Sequence, residues 1–384
     1  MGKRANIGVG IIGANGDKSW AAEAHIPALR ALPDRYEITA LSTRKQETAD
    51  AAARKFGVPH AFDDHTELVA HPDVDLVVVA VKVPAHLELV TSALTAGKAV
   101  YCEWPLGNGL AEAEQLTKLA RDKGLVAAIG LQGRAAPVVR RVRDLVRDGF
   151  VGKVQSTSVI ASGGNWGEVV AGAGAYIVDR ANGATMLEIN LGHTIDALCW
   201  SLGEFRELSS TMLTINPTIR IAETGETIAK TASDQIVIGG VLDNGAAASI
   251  HYRGGMSRGT NFHWEINGSE GDLVITLDDP IGSLGALKLL GSVGSIQLGA
   301  LRLHGARGTA ELAEIEVPPS YLAAPAAPTG LPYNLTHAYA MFADELRDST
   351  MGTPTPTFED GLVRHRMMDA IVRAAESGHR ETYL

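Results

Sequence analysis

Cysteine is nearly absent from this 384-residue chain, with only Cys102 and Cys199 present. Neither belongs to a CxxC pair or a Cys/His cluster, which excludes a disulfide framework and a thiolate zinc site. Both read as small buried apolar residues in a reducing compartment, and no metal is expected. A basic excess is also missing. Lys and Arg number 34 against 44 Asp and Glu, a net charge of −10. That balance argues against a general binder of nucleic acid or anionic membrane. No apolar run reaches membrane-spanning length. The start, "MGKRANIGVGIIG", lacks a signal-peptide core and cleavage site, and Asn6 stands where myristoylation needs Ser or Thr. The expectation is a cytoplasmic protein with no membrane and no nucleic-acid partner. What the chain does have is 45% hydrophobic and 20% charged residues, the balance of a packed globular protein. Its length suits about two domains.

Residues 1–135 alternate strand and helix patterns. "NIGVGII" (6–12), "YEITALST" (36–43), "VDLVVVAV" (74–81), "AVYCE" (99–103) and "LVAAIGLQ" (125–132) read as strands. Helical spacing fills residues 19–32, 44–57, 86–97 and 109–124. The continuous Val/Leu run at 74–81 is that of a strand buried on both faces. Repeated βα units predict a doubly wound parallel sheet of Rossmann type. From 136 to 384 the pattern changes. A basic-faced helix (137–152) is followed by strand candidates at 154–162, 207–215, 234–242, 246–254, 261–268 and 271–277. Turns between them predict an α/β domain with a large, mostly antiparallel open sheet. "LAAPAAPTGLP" (322–332) reads as a surface linker, and residues 361–378 as a last helix.

"GVGIIG" (8–13) matches GxGxxG as text, but Gly8 and Gly10 fall inside the first strand. Phosphate-binding glycines belong in the turn that follows, at a helix N-terminus. The expected turn is Gly13-Ala14-Asn15-Gly16-Asp17. The second strand ends in Ser42, Thr43, Arg44 and Lys45, where an NAD-selective domain carries Asp or Glu. Hydroxyls and a guanidinium accept a 2′-phosphate, so NADP is expected alongside NAD.

The order "GIIGANG", "HIPAL", "VVVAVKVPAHLELV", "AVYCEWPL" and "GHTID" resembles the Gfo/Idh/MocA oxidoreductases across nearly the whole chain. "KSWAAEAHIPAL", "LQGR", "GGNWG" and "LGHTIDAL" are similar to the branch of that family containing a fungal galactose/lactose regulatory repressor. The resemblance implies a Rossmann domain joined to an open-sheet domain whose exposed face makes a dimer or tetramer. It also implies NAD or NADP as cofactor and a sugar or cyclitol carbinol as substrate. By the same resemblance, Lys82, Pro84, His86, Glu103 and Trp104 join Gly13, Ala14, Asn15, Gly16, Ser42, Thr43 and Arg44 around the cofactor.

Hydride transfer from a carbinol needs a base for the hydroxyl proton. Family dehydrogenases use the lysine of Glu-Lys-Pro and an aspartate four residues before a histidine. Here those positions hold Trp104 and Ile189, while the histidine remains as His193. In a regular helix, Glu188 and Asn190 point away from the vacated position. His193 is the first candidate for acid/base work, with Lys82 and Tyr176 behind it. Trp104, Gln132, Arg134, Asn165, Trp166, Tyr176, Asp179 and Arg180 read with His193 as a carbohydrate-binding set, since aromatic faces stack on sugar C–H surfaces. The competing reading of each tryptophan is a packing anchor. Three functions stay open: an NAD(P)-dependent sugar oxidoreductase, a redox-neutral glycosidase working by transient oxidation, and a non-catalytic dinucleotide-binding regulator.

Overall fold

The computed structural model describes residues 6–16, 19–277, 293–347 and 355–384. The chain divides into two compact units, Met1–Ala135 with Leu322–Leu362, and Ala136–Tyr321 with Val363–Leu384.

The first unit is built on a six-stranded parallel sheet. Its strands are β1 (Ile7–Ile12), β2 (Tyr36–Ser42), β3 (His60–Phe62), β4 (Leu76–Val79), β5 (Ala99–Cys102) and β6 (Ala127–Ile129). Their order is β3-β2-β1-β4-β5-β6, so the winding reverses between β1 and β4. Every residue of β4 is buried, as its unbroken Val/Leu run requires. Gly8 and Gly10 do lie inside β1. A Cβ on Gly8 would sit 2.0 Å from the Asp73 carbonyl oxygen, and one on Gly10 would sit 2.7 Å from Leu68. Those glycines serve packing.

Three elements of this unit escape the sequence pattern. β3 and the helix His65–Ala70 are too short to show a period. The helix Tyr333–Arg347 follows a Pro/Ala-rich stretch, yet buries Leu335, Tyr339 and Phe342 in the core that also holds Val9, Ile11 and Tyr101. The stretch before it is not a free surface linker. Ala324 is buried, and Ala323, Ala327 and Leu331 pack on the same core. Small apolar side chains let that segment lie close.

The second unit carries an eight-stranded sheet. It contains β7 (Val154–Gly163), β9 (Phe205–Leu213), β12 (Gln235–Leu242), β13 (Ala247–Gly254), β14 (Phe262–Gly268), β15 (Gly271–Leu277), β16 (Leu301–Arg307) and β17 (Ala313–Glu314). The order is β17-β16-β15-β14-β7-β13-β12-β9, antiparallel except where β13 runs parallel to β7. The remaining strands, β8 (Val169–Val170), β10 (Thr218–Ile221) and β11 (Thr227–Ala229), form a small separate sheet. One face of the large sheet is apolar and buried, with Val159, Ile236, Ile238, Ile250, Tyr252, Trp264 and Ile275. The register places Thr211, Val237, His251, Ile160 and His263 side by side on the other face.

Candidate functional site

β1 ends in the expected turn. Gly13 has φ +104°, and a Cβ there would lie 2.4 Å from the Ala80 carbonyl oxygen. Only glycine fits that left-handed, close approach to the end of β4. The Gly13 amide donates to the Ser42 carbonyl at 2.9 Å, and the Asn15 amide to the Gly13 carbonyl at 2.9 Å. Ala14 is buried, Asn15 is exposed, and the position of a Cβ on Gly16 has no neighbour nearer than 4.0 Å. Asp17 lies outside the described residues. The turn is therefore narrow on its protein side and open at Gly16, a cradle that fits the pyrophosphate of a dinucleotide.

At the end of β2, Ser42 is buried, and its carbonyl is the acceptor for Gly13. The Thr43 hydroxyl is engaged locally, 3.0 Å from the Lys45 carbonyl and 2.6 Å from the Thr48 hydroxyl. Arg44 is exposed. At the end of β4, Lys82 and Pro84 are exposed and lead through a 3₁₀ turn to the helix His86–Thr95. His86 is buried with Nδ1 2.8 Å from the Pro105 carbonyl and Nε2 3.1 Å from the Val81 carbonyl. Both carbonyls favour a protonated ring, but burial outweighs them and lowers the His86 pKa.

Trp104 is buried in an apolar cluster with Val79, Val100, Cys102 and Leu131. Glu103, before it, meets His25, whose Nε2 lies 3.0 Å from Glu103 Oε1. His25 Nδ1 lies 2.6 Å from the Tyr339 hydroxyl. His25 is fully buried. A Cβ on Gly130 would come within 2.9 Å of Glu103 Oε1, so the end of β6 closes tightly on the same carboxylate. Gln132 and Arg134 are buried, and Arg134 pairs with Asp360 at 2.8 Å. Burial raises the Asp360 carboxyl, but Arg134 and the Thr357 hydrogen bonds bring it below the ordinary range. Tyr339 and Asp360 carry no signal in the sequence. "HIPAL" marked His25 by its place in a motif, whereas nothing local connects it to residues 339 and 360.

In the second unit, Trp166 is 2% exposed, and its indole N–H donates to the Ile177 carbonyl at 3.0 Å. Its own carbonyl accepts from Lys230 Nζ at 2.9 Å, and Lys230 pairs with Asp234 at 2.8 Å in full burial. Asn165 and Tyr176 are half-buried. Asp179 and Arg180 are exposed, with the Asp179 carboxylate accepting from the Thr231 hydroxyl at 2.9 Å. Burial raises the Tyr176 hydroxyl.

His193 is 4% exposed and stands one residue into the helix Gly192–Leu202. The turn before it, Leu187–Leu191, is not regular α-helix but a π-turn. The facing argument for Glu188 and Asn190 therefore does not hold as made from a 3.6-residue period, because a π-turn shifts the residues around the axis. Glu188 accepts from the Thr185 amide and hydroxyl, both at 2.7 Å. The Asn190 amide donates to the Val293 carbonyl and to Ser295 Oγ, both at 3.0 Å. Asp196 Oδ1, a turn beyond His193, lies 3.7 Å from the buried Arg364. Burial pushes the Cys199 thiol up to about 12 and Cys102 well above its ordinary value, leaving both inert.

Among the described residues, one group of three side chains has metal-ligand character: His60, His71 and Asp73, with ligand atoms within 4.8 Å of one another. The Asp73 amide donates to His71 Nδ1 at 3.2 Å. It is a hydrogen-bonded cluster at the opposite end of the strands from the Gly13 turn. Among the described residues no helix is long and apolar enough to cross a membrane.

Comparison with known proteins agrees with this geometry. Residues 7–131 match the family model of oxidoreductases with an NAD-binding Rossmann fold, and residues 137–277 match the Gal80p C-terminal domain model. Dehydrogenase aclE of Aspergillus oryzae is 30% identical over 100% of this chain and 99% of its own. The galactose/lactose metabolism regulatory protein GAL80 of Kluyveromyces lactis is 30% identical over 71% of this chain and 64% of its own. A super-repressor mutant of Gal80p from Saccharomyces cerevisiae superposes with a TM-score of 0.85 at 24% identity, covering 98% of both chains. A levoglucosan dehydrogenase in complex with NADH and levoglucosan gives 0.80 at 20% identity, over 98% of this chain and 99% of that one. The chain belongs to the Gfo/Idh/MocA oxidoreductase family, in a branch that resembles Gal80. Its cofactor is NAD(P), held by the Rossmann unit.

Proposed function

We propose that this protein is an NAD(P)-dependent oxidoreductase acting on a ring carbinol of a sugar or sugar derivative. The observation that carries this reading is full-length likeness to a dehydrogenase, supported by a turn after β1 that only glycine can make at position 13. When bound, the cofactor would take up a hydride from the carbinol carbon, and the hydroxyl proton would pass to a base on this chain, leaving a carbonyl. His193 is that base. The buried imidazole accepts the proton in one direction and returns it in the other. The cofactor supplies the redox chemistry. The Gly13-Ala14-Asn15-Gly16 turn holds its pyrophosphate, and Glu103 and His86 belong to the nicotinamide side.

A second reading has its own support. The Gal80p C-terminal domain match over 137–277, with Trp104 and Ile189 in place of the family lysine and aspartate, favours a regulator that binds dinucleotide without turnover. One experiment separates the two. Purified protein is offered a panel of free sugars, sugar acids and anhydrosugars with NAD⁺ or NADP⁺, and absorbance is followed at the reduced nicotinamide band. Turnover that His193→Ala abolishes, with cofactor affinity retained, supports the enzyme. A silent panel with cofactor demonstrably bound supports the regulator. Release of an aryl aglycone without net NADH, abolished by stripping the cofactor, would instead identify the redox-neutral glycosidase cycle.

The open sheet face supports self-association. Ile160, Val237 and Leu213 are 43%, 42% and 48% exposed there, among small side chains such as Ser158, Ser209, Gly239 and Ser249. A second copy of this chain is the proposed occupant of this flat face.

A further inference from the structure

Glu103 sits at the C-terminal end of β5, on the β4–β6 side of the winding reversal. A dinucleotide bound across such a reversal lays its nicotinamide half on that side. Around Glu103 the first unit has gathered several buried polar groups. His25 Nε2 and Glu103 Oε1 are buried, 3.0 Å apart, and neither has a hydrogen-bond partner of good geometry among the described residues. Two complementary buried atoms at that distance satisfy each other with a small rotation. On the other side of the ring, Nδ1 faces the Tyr339 hydroxyl at 2.6 Å. A carboxylate only accepts, so the 3.0 Å contact with Glu103 places the ring proton on Nε2, and Nδ1 is then the acceptor for the Tyr339 hydroxyl. Tyr339 is itself fixed. The Tyr36 hydroxyl donates to its carbonyl at 2.8 Å, and its ring packs 4.8 Å from that of Tyr101. The arrangement joins positions 25, 103 and 339, which core packing alone does not require to be polar.

We propose that Tyr339 and His25 are positioning residues for Glu103, a hydroxyl–imidazole–carboxylate chain that aims one negative charge at the nicotinamide half of the cofactor. This rests on the reading of Glu103 as a cofactor residue. Its consequence is a preference between redox states. The oxidised nicotinamide ring is cationic and the reduced ring neutral, so a fixed carboxylate holds NAD(P)⁺ more tightly than NAD(P)H. A group that merely supported the fold would weaken both forms alike.

The test is the ratio of dissociation constants for oxidised and reduced cofactor, measured by titration calorimetry without substrate. ADP-ribose serves as a ligand that lacks the nicotinamide. Wild type is compared with Glu103→Gln, Tyr339→Phe and His25→Gln at a temperature where thermal melts show each folded. Glu103→Gln should shrink the preference for the oxidised form by roughly tenfold, the effect of one nearby charge in a partly buried site. Tyr339→Phe, which removes one hydroxyl, should shrink it by roughly threefold, the net worth of one hydrogen bond. ADP-ribose affinity should stay unchanged in both. An unchanged ratio in Tyr339→Phe and His25→Gln, with a changed ratio in Glu103→Gln, overturns the positioning chain alone. An unchanged ratio in all three variants overturns the placement of Glu103 at the cofactor.

Discussion

At Gly13 a single atom decides the turn that follows β1. The backbone is left-handed, and a Cβ would stand 2.4 Å from the Ala80 oxygen. Gly13→Ala should cost about 2 kcal/mol or more in urea unfolding and weaken NAD⁺ binding at least tenfold, measured by denaturation curves and calorimetry. Arg44 gives a second residue-scale prediction. The Thr43 hydroxyl is engaged by Lys45 and Thr48 and Arg44 is exposed, so on the proposed reading Arg44 is the group that would meet a 2′-phosphate. Arg44→Ala should lower NADP⁺ affinity several-fold and leave NAD⁺ affinity alone, read from paired titrations. The turn was legible in the sequence because glycine chemistry is local. The chain linking residues 25, 103 and 339 was not, because hydrogen bonds across 314 residues leave no spacing to read. Trp166 was legible only as a tryptophan. That its N–H is engaged by Ile177 follows from a fold, not from a motif.

Among the elements, the βα series and the longer strands up to Leu277 announced themselves through period and composition, whereas the seven-residue β16, Leu301–Arg307, did not, because glycine and charged residues interrupt its apolar alternation. The short strands β10 and β11 and the late helix Tyr333–Arg347 did not. The first two are below the length at which alternation can be counted, and the last is preceded by turn-forming residues. The two π-turns among the described residues, Ala21–His25 and Leu187–Leu191, are invisible to a 3.6-residue reading, yet each delivers a buried histidine at its end or just beyond it. The segment Gly164–Trp166 is held from below by the buried Lys230–Asp234 pair. Lys230→Met would strand the Asp234 carboxylate in full burial. A loss of about 3–5 kcal/mol is expected, measured by urea unfolding with tryptophan fluorescence as the probe.

For the molecule as a whole, acid stability turns on groups such as His86. Burial lowers its pKa below the ordinary imidazole value of about 6.5, so the unfolded chain takes up the proton first. Stability is therefore full above about pH 6.5 and falls as pH drops from there towards the lowered folded value. His86→Asn should flatten that part of a melting-temperature profile between pH 7 and 5. Self-association belongs to this scale too. Ile160→Glu with Val237→Glu should convert a dimer or tetramer to monomer in light scattering, since like charges would then face each other across the paired sheets. A chain that remains assembled would move the interface elsewhere.

The ownership of Leu322–Leu362 by the first unit has a consequence for biosynthesis. Val9 and Ile11 are made early, yet Leu335, Tyr339 and Phe342 complete their core. The ribosome must finish the whole of Ala136–Tyr321 before the dinucleotide unit can close. We expect the usual order, in which the first domain folds while the next is being made, to fail here. A nascent chain stalled at residue 135 should be digested by protease, whereas one released past residue 362 should resist.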